Sequence, residues 1–467
     1  MIALRSYQED AVEGIRQAFV ASRRVLLVSP TGSGKTVTFS YIGQRVAERG
    51  KRVTFTAHRE QIVRQISKSL DEFGVRHGVI ARGRTMTDDL VQVAMVQTLA
   101  RRLDRVQEPA LLVVDEAHHG VAGTWKNIAG AWVNARQLGV TATPQRLDGR
   151  GLGTAFDAMV MGPQTADLIA DGYLAPFDYM APPALADLSS VRSRAGDYAV
   201  DDLAKVMDRQ FITGNAVSHY RKHLGGRPAV AFCVDIEHAR HVADEFRIAG
   251  YRSESVDGKL DPHEVRRRIA ALSTGDLNVL TSCELISEGV DVPTVAGVIM
   301  LRPTKSLAMF LQMCGRCLRL KPDGSSAVIL DHVGNVKRHG MPDERREWSL
   351  TAKKKKPVEP SITTCEQCFR VLPSISARST AKAECLEAAC PLKEAPLKVR
   401  KEIEEVEGEL VRIDPEELAL LQTADLSELL KGATTFDQVD AIRRARKYHP
   451  GWTRHVMRNR RTETVDA

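Results

Sequence analysis

The sequence predicts an α/β protein with two parallel-sheet units in tandem, followed by a small cysteine-bearing module and a helical C-terminal tail. Three observations predict it. Short β-branched runs alternate with helix-compatible stretches in two separate series, the pattern of strands joined by crossover helices. A lysine run, Lys353 to Lys356, marks an abrupt change of composition. Half of the chain's 8 cysteines then fall close together behind it. At 467 residues the chain is too long for one ordinary core, and about two to four domains are expected.

Hydrophobic residues make up 43% and charged residues 27%, a globular balance that excludes a disordered chain. No run of about 18 apolar residues occurs, so no transmembrane span is expected. The opening Met1-Ile2-Ala3-Leu4-Arg5-Ser6 contains no long apolar stretch, so the expectation is a cytoplasmic protein with no membrane partner. In that compartment the cysteines read as thiols or metal ligands and not as a disulfide framework. Lys+Arg number 66 against 59 Asp+Glu, and the formal charge of +7 permits a nucleic-acid partner without demanding one.

In order, Val25 to Val28, Val53 to Thr56, Val91 to Ala94, Leu111 to Val114 and Leu138 to Thr141 read as strands of a first unit placed at 1–162. A less regular connector follows at 163–225. Ala229 to Cys233, Val279 to Thr281, Val298 to Leu301 and Ala327 to Leu330 read as buried strands of a second unit at 226–350. The clearest helix among them runs from Ile236 to Ala249. The cysteine module occupies 351–395 and the tail 396–467, where an acidic stretch from Glu402 to Glu417 precedes a basic one. Thr435-Phe436-Asp437-Gln438 resembles a capping box, opening a helix that ends before His449-Pro450.

The strongest chemical signal is Gly-rich. The strand ending at Val28 runs into Ser29-Pro30-Thr31-Gly32-Ser33-Gly34-Lys35-Thr36, and a helix-compatible stretch follows. Compact backbone from Thr31 to Lys35 can direct N–H groups at phosphate oxygens. Lys35 adds a point charge, and the Thr36 hydroxyl can ligate Mg²⁺. A second buried-looking strand ends in Asp115-Glu116-Ala117-His118. Alone, such an acidic pair is commonly a helix cap. Behind a phosphate loop, Asp115 would hold Mg²⁺ and Glu116 would polarise an attacking water.

With these residues the chain resembles a DEAD/DEAH-box member of the superfamily 2 helicases, close to the restriction- and repair-type helicases of bacteria and phages. The resemblance covers about residues 1 to 340. Arg5-Ser6-Tyr7-Gln8 resembles the adenine-reading segment, Ala57-His58-Arg59-Glu60-Gln61 motif Ia, and Val96-Gln97-Thr98-Leu99 the next nucleic-acid-facing motif. Thr141-Ala142-Thr143-Pro144 resembles motif III, Thr281 to Val292 motif V, and Gln312 to Arg319 motif VI. Ser29 stands where a strict Walker A loop has Gly. The upstream aromatic of RNA-helicase Q motifs has no counterpart ahead of Gln8, which weighs against a DEAD-box RNA helicase.

The resemblance implies two tandem RecA-like lobes binding ATP and Mg²⁺. It implies catalytic roles for Lys35, Asp115, Glu116, His118, Gln312, Arg316 and Arg319. It implies nucleotide contacts from Arg5, Gln8, Thr31, Gly32, Ser33, Gly34, Lys35, Thr36, Gly289 and Asp291, with Thr36 and Asp115 on Mg²⁺. Arg59, Gln97, Thr98 and Thr281 match positions that touch the nucleic-acid backbone. Arg316 and Arg319 stand three apart, so on a helix they share a face and can reach one target. Guanidinium groups supplied by a second lobe would make hydrolysis conditional on closure.

Cys314 and Cys317 form a C-x-x-C inside motif VI, where small apolar packing is the better reading. Cys365-x2-Cys368 and Cys385-x4-Cys390 fit a four-thiolate structural Zn²⁺ site, with iron–sulfur ligation as the minority reading. Between Ala441 and Arg461, basic residues interleave with Tyr448 and Trp452 and no acid occurs. That stretch suits either nucleic acid or a protein partner docked on a basic helix. The expected function is an ATP-dependent helicase or translocase, with DNA favoured over RNA as partner and 3′-to-5′ movement by family habit. A duplex translocase that does not separate strands and an ATP-switched nucleic-acid clamp remain open beside it.

Overall fold

The computed structural model describes residues 3–119, 123–145, 151–181, 191–194, 197–200, 202–203, 210–283, 295–351, 362–364, 369–373, 423–433, 436–446, 448, 452–453 and 456–457. The calls on Gly289, Asp291, Cys365, Cys368, Cys385, Cys390 and the lysine run lie outside the described residues. Contacts divide the chain into two compact units, Met1–Leu397 and Lys398–Ala467.

The larger unit contains two parallel sheets. The first is assembled from α1 (Ser6–Ala21), β1 (Arg24–Val28), α2 (Lys35–Ala47), β2 (Val53–Ala57), α3 (Glu60–Glu72), β3 (Gly78–Ile80), β4 (Val91–Met95), α4 (Val96–Ala100), β5 (Leu111–Asp115), α5 (Gly123–Ala131), β6 (Arg136–Thr141) and β7 (Ala158–Met161). Its seven strands lie in the order β3-β4-β2-β5-β6-β1-β7, every pair parallel. α6 (Thr165–Ala170), β8 (Phe177–Met180), the short hairpin β9 (Ser193–Arg194) and β10 (Asp197–Tyr198), and α7 (Gln210–Leu224) come next. Then follow β11 (Ala229–Phe232), α8 (Ile236–Ile248), β12 (Ser253–Val256), α9 (Pro262–Thr274), β13 (Val279–Ser282), β14 (Gly297–Met300), α10 (Leu307–Gly315), β15 (Ala327–Asp331) and α11 (Asn335–His339). The second sheet runs β12-β13-β11-β14-β15-β8, again parallel throughout.

The expected connector is therefore more ordered than its sequence suggests, since it contributes β8 to the second sheet and α7 to its face. Strands expected from apolar runs are β1, β2, β4, β5 and β6, and β11, β13, β14 and β15. All of them are interior. The unexpected ones, β3, β7, β8 and β12, are the edges of the two sheets. An interior strand is covered by helices on both faces and reads as a continuous apolar run. β12 is Ser-Glu-Ser-Val and β7 has no fully buried residue, so neither shows that pattern.

After α11 the chain crosses back to the first lobe. The Arg346 N–H donates to Gln164 Oε1 at 2.8 Å, and its guanidinium donates to the carbonyls of His339 and Met341. Trp348 and Leu350 then pack on the first lobe's core, and Gly153 N–H donates to the Leu350 carbonyl at 2.8 Å. Further on, β16 (Ile362–Thr364) pairs antiparallel with β17 (Val371–Pro373). The Phe369 carbonyl accepts from Ala181 N–H at 3.0 Å, and Arg370 pairs with Asp178 of β8.

In the smaller unit, α12 (Leu426–Gly432) and α13 (Phe436–Ala445) bury Ala433, Val439 and Ile442. Trp452 packs on that miniature core and meets the Tyr448 ring at 4.8 Å. These aromatics stabilise the unit itself, which a cation-and-aromatic composition does not reveal. Among the described residues, no helix is long and apolar enough to cross a membrane.

Candidate active site

In a parallel sheet every strand ends on the same edge, and ligands bind outside those C-terminal ends. Along that edge of the first lobe, neighbouring strands β5, β6 and β1 present Asp115–Glu116, Thr141 and the Gly-rich loop. The other half, β3, β4 and β2, presents a different chemistry. Arg59 is the N-cap of α3, Gln97 is exposed and Thr98 half-buried on α4, and exposed Arg82 and Arg84 follow β3. Sequence reasoning missed Arg82 and Arg84 because β3 itself went unread.

The phosphate loop is fixed from beneath. Ser29 N–H donates to the Thr141 carbonyl at 3.0 Å, and the buried Ser29 hydroxyl bonds Ser33 Oγ at 2.7 Å. The Ser at this position thus ties the loop's two ends together, a contact glycine could not make. Gly32 and Gly34 take φ of +89° and +76°, the left-handed region that disfavours a side chain. Gly34 caps α2 without a side-chain acceptor, so the first N–H groups of that helix remain for an anion. Lys35 Nζ donates to the carbonyls of Ser29 at 3.1 Å and Pro30 at 3.0 Å. Thr31 and Thr36 flank it, both half-buried.

Electrostatics tie this lysine to the acidic pair and to the second lobe. Burial pulls the Lys35 pKa down, Glu116 and Asp115 push it up, and Arg316 lowers it further. Burial holds the Asp115 carboxyl well above the usual carboxylate range, repulsion from Glu116 adds to that, and Lys35 opposes it. Glu116 carries φ of +49°, rare for a side-chain-bearing residue, and its Oε2 is buried without a hydrogen-bond partner among the described residues. His118 Nδ1 lies 3.4 Å from that oxygen and 3.1 Å from Thr141 Oγ1. The Thr141 hydroxyl spends its only proton on the Thr143 carbonyl at 2.9 Å, so His118 carries its proton on Nδ1 to make the contact. His118 thereby joins the β5 and β6 loops.

The second lobe meets the loop through motif VI. A Cβ on Gly315 would lie 2.6 Å from Thr31 Cβ, so the two lobes touch there. Gln312 and Arg316 are buried, and Arg319 is half-buried. The helical-face expectation for the two arginines needs correcting. α10 stops at Gly315, Arg316 is its C-cap, and the chain closes a tight turn with Cys317 N–H donating to the Cys314 carbonyl at 3.3 Å. Cys314 and Cys317 are core residues, and burial pushes the Cys317 thiol up to about 12, which fits packing and not metal or redox chemistry.

Two other expected contacts land elsewhere. Thr281 is wholly buried and its hydroxyl donates to the Ala239 carbonyl at 2.6 Å, so it is a core residue of the second lobe in this structure and not a nucleic-acid contact. Gln8 is also buried. Its Oε1 accepts from Arg5 N–H at 3.0 Å, and its Nε2 donates to the carbonyls of Ser33 and Gly34 at 3.4 and 3.3 Å. The amide thus joins the start of α1 to the phosphate loop. Nothing in the motif pattern points to Leu174, whose Cδ2 lies 2.9 Å from where a Gly32 Cβ would sit. Next to it, Ala175 N–H donates to the Leu318 carbonyl at 2.8 Å.

Residues 1–146 match the family of the type III restriction enzyme res subunit, and residues 214–321 match the helicase conserved C-terminal domain. A 51.5 kDa protein of a Lactococcus phage is 34% identical over 345 residues, which cover 73% of each chain. The putative ATP-dependent helicase IRC3 of Saccharomyces cerevisiae is 29% identical over 71% of this chain, a stretch amounting to 51% of the yeast protein. Among solved structures, a fragment of a putative HsdR subunit of a type I restriction enzyme from Vibrio vulnificus superposes with a TM-score of 0.59 at 22% identity. It covers 73% of this chain and 67% of that one.

Proposed function

The chain belongs to the superfamily 2 helicases and is similar to their restriction-type members; from that premise we propose that it couples Mg-ATP hydrolysis between its two lobes to movement along nucleic acid, with DNA as the favoured track. One observation carries the reading. Lys35 of the first lobe sits within electrostatic reach both of Asp115 and Glu116 beside it and of Arg316 from the second lobe, next to the Thr31–Gly315 contact.

In this reading the N–H groups at the start of α2 and Lys35 hold the phosphates. Thr36 and Asp115 would hold Mg²⁺, which supplies positive charge to the phosphate oxygens. The residues fit such a cation, because Asp115 and Glu116 are crowded together and Lys35 is the one positive group that lowers Asp115's pKa. Glu116 Oε2, buried without a hydrogen-bond partner among the described residues, is left to orient and deprotonate a water. Arg316 and Arg319 neutralise charge developing on the transferred phosphoryl group when the lobes close. Nucleic acid lies along the Arg59, Gln97 and Thr98 half of the same sheet edge. A structural zinc on Cys365, Cys368, Cys385 and Cys390 belongs to the same proposal, supported by spacing and by the paired strands flanking the first two. Metal analysis with Cys365→Ser as control tests it.

The deciding experiment measures ATPase rate with single-stranded DNA, duplex DNA and RNA, alongside displacement of a tailed strand. Stimulation by DNA is expected. Stimulation by RNA alone overturns the DNA assignment, and failure of every nucleic acid sinks the motor reading. Duplex stimulation without displacement identifies a duplex translocase. If Lys35→Ala abolishes hydrolysis yet leaves biological activity intact, the protein is an ATP-switched clamp.

A further inference from the structure

Tyr173 belongs to the stretch between α6 and β8, outside every motif that the sequence displays. It nonetheless sits against the nucleotide end of the first lobe. Its ring meets that of Tyr7 edge-on at 5.0 Å, and the Arg5 guanidinium lies over its face at 4.8 Å. Arg5 Nη1 donates to the Tyr7 hydroxyl at 3.1 Å, which donates in turn to the Ser33 carbonyl at 3.0 Å. Leu174 and Ala175, the next two residues, reach Gly32 of the phosphate loop and Leu318 of motif VI.

We infer that Tyr173 is a nucleobase-binding residue, the aromatic platform on which the base stacks when its phosphates occupy the loop from Thr31 to Thr36. The inference rests on the nucleotide-binding reading above and extends it to the base. Gln8 has both ends of its amide engaged with Arg5, Ser33 and Gly34, so in this arrangement it supports the loop and offers nothing to a base. Tyr7 has spent its hydroxyl on Ser33. The group left with an unspent recognition surface is the Tyr173 face, and Arg5, an exposed side chain, covers it. An exposed cation over an aromatic ring is held weakly, whereas a base stacked on the ring gains more, so a nucleobase displaces the guanidinium from the face or slides beneath it.

The test compares ATP with inorganic tripolyphosphate, which carries the phosphates without a base. In Tyr173→Ala, KM for ATP rises on the order of tenfold, kcat stays within about twofold, and inhibition by tripolyphosphate is unchanged; Tyr173→Phe behaves as wild type. Equal weakening of ATP and tripolyphosphate overturns the inference, because the ring would then only support the loop. An unchanged KM overturns it as well. Equilibrium binding of ATP without nucleic acid needs no motor activity. A protein that binds ATP through Tyr173 but is never stimulated by nucleic acid therefore refutes the translocase reading alone.

Discussion

Gly315 gives the sharpest test of the idea that hydrolysis needs the two lobes in register. In Gly315→Ala the new Cβ would lie 2.6 Å from Thr31 Cβ and 2.9 Å from Thr31 Cγ2. Nonbonded carbons settle at about 3.5–4.0 Å, so one side must retreat by roughly 1 Å. The phosphate loop has little freedom to do so, with Ser29 bonded to Ser33 and Leu174 against Gly32. The displacement therefore falls on motif VI and on Arg316, which follows Gly315 directly. Misplacing a catalytic group by about 1 Å costs on the order of 10²-fold in rate, and that is the expected fall in kcat at saturating ATP and DNA. Loss of fold is separable, because the helix preference for alanine, up to about 1 kcal/mol, offsets part of the roughly 1–3 kcal/mol that the overpacked contact costs, so only a small drop in thermal midpoint is expected. Thr31→Gly removes both offending carbons and should restore part of the rate, whereas Thr31→Ser leaves Cβ in place and should not. A Gly315→Ala enzyme with kcat within about threefold of wild type would refute the register argument.

Other predictions follow from single observations. Glu116→Gln should lower kcat on the order of 10²- to 10⁴-fold while ATP still binds, measured by single-turnover hydrolysis; full activity would remove Glu116 from the chemistry. Thr281→Val should leave DNA affinity unchanged and cost about 1 kcal/mol of second-lobe stability, since it loses one buried hydroxyl bond to Ala239. Weakened DNA binding at unchanged stability would return Thr281 to the nucleic-acid track. Burial lowers the pKa of His332 to about 3 and, as the main cause, that of His339 to about 4. The unfolded chain protonates these imidazoles near pH 6.5, so stability is present above that pH and is lost as pH falls toward 4. At pH 5 the loss approaches about 2 kcal/mol for each, read as a falling denaturant midpoint that His332→Gln makes shallower; equal slopes in both proteins would contradict it.

What was legible in the sequence, and what was not, follows from how far each feature depends on distant residues. The interior strands announced themselves because burial on both faces demands Leu-Leu-Val-Val or Val-Ile-Met-Leu. Edge strands such as Ser253–Val256 need satisfy only one neighbour, and nothing local marks them. The phosphate loop and the acidic pair were legible because their chemistry is carried by consecutive residues on strand ends. Arg316 is singled out only by its motif, and the helix expected to aim it ends one residue earlier. Thr281 matched a motif position and is buried all the same, because β13 is interior, with every residue buried, and the helix Ile236–Ile248 takes the hydroxyl.

The residues that escaped notice share one property. Leu174, Tyr173, Trp348 and the Thr31–Gly315 pair matter through contacts made far along the chain, across the boundary between the lobes. No periodicity or spacing can encode such a contact, because each partner's own neighbourhood is satisfied without it. In the proposed cycle those same contacts are the ones that opening and closing would break and remake. The part of the site that the sequence hides is therefore the part that, in the proposed cycle, would convert a phosphate-binding lobe into a two-lobed machine. Substitutions there should alter the coupling between nucleotide and nucleic acid before they alter the affinity for either.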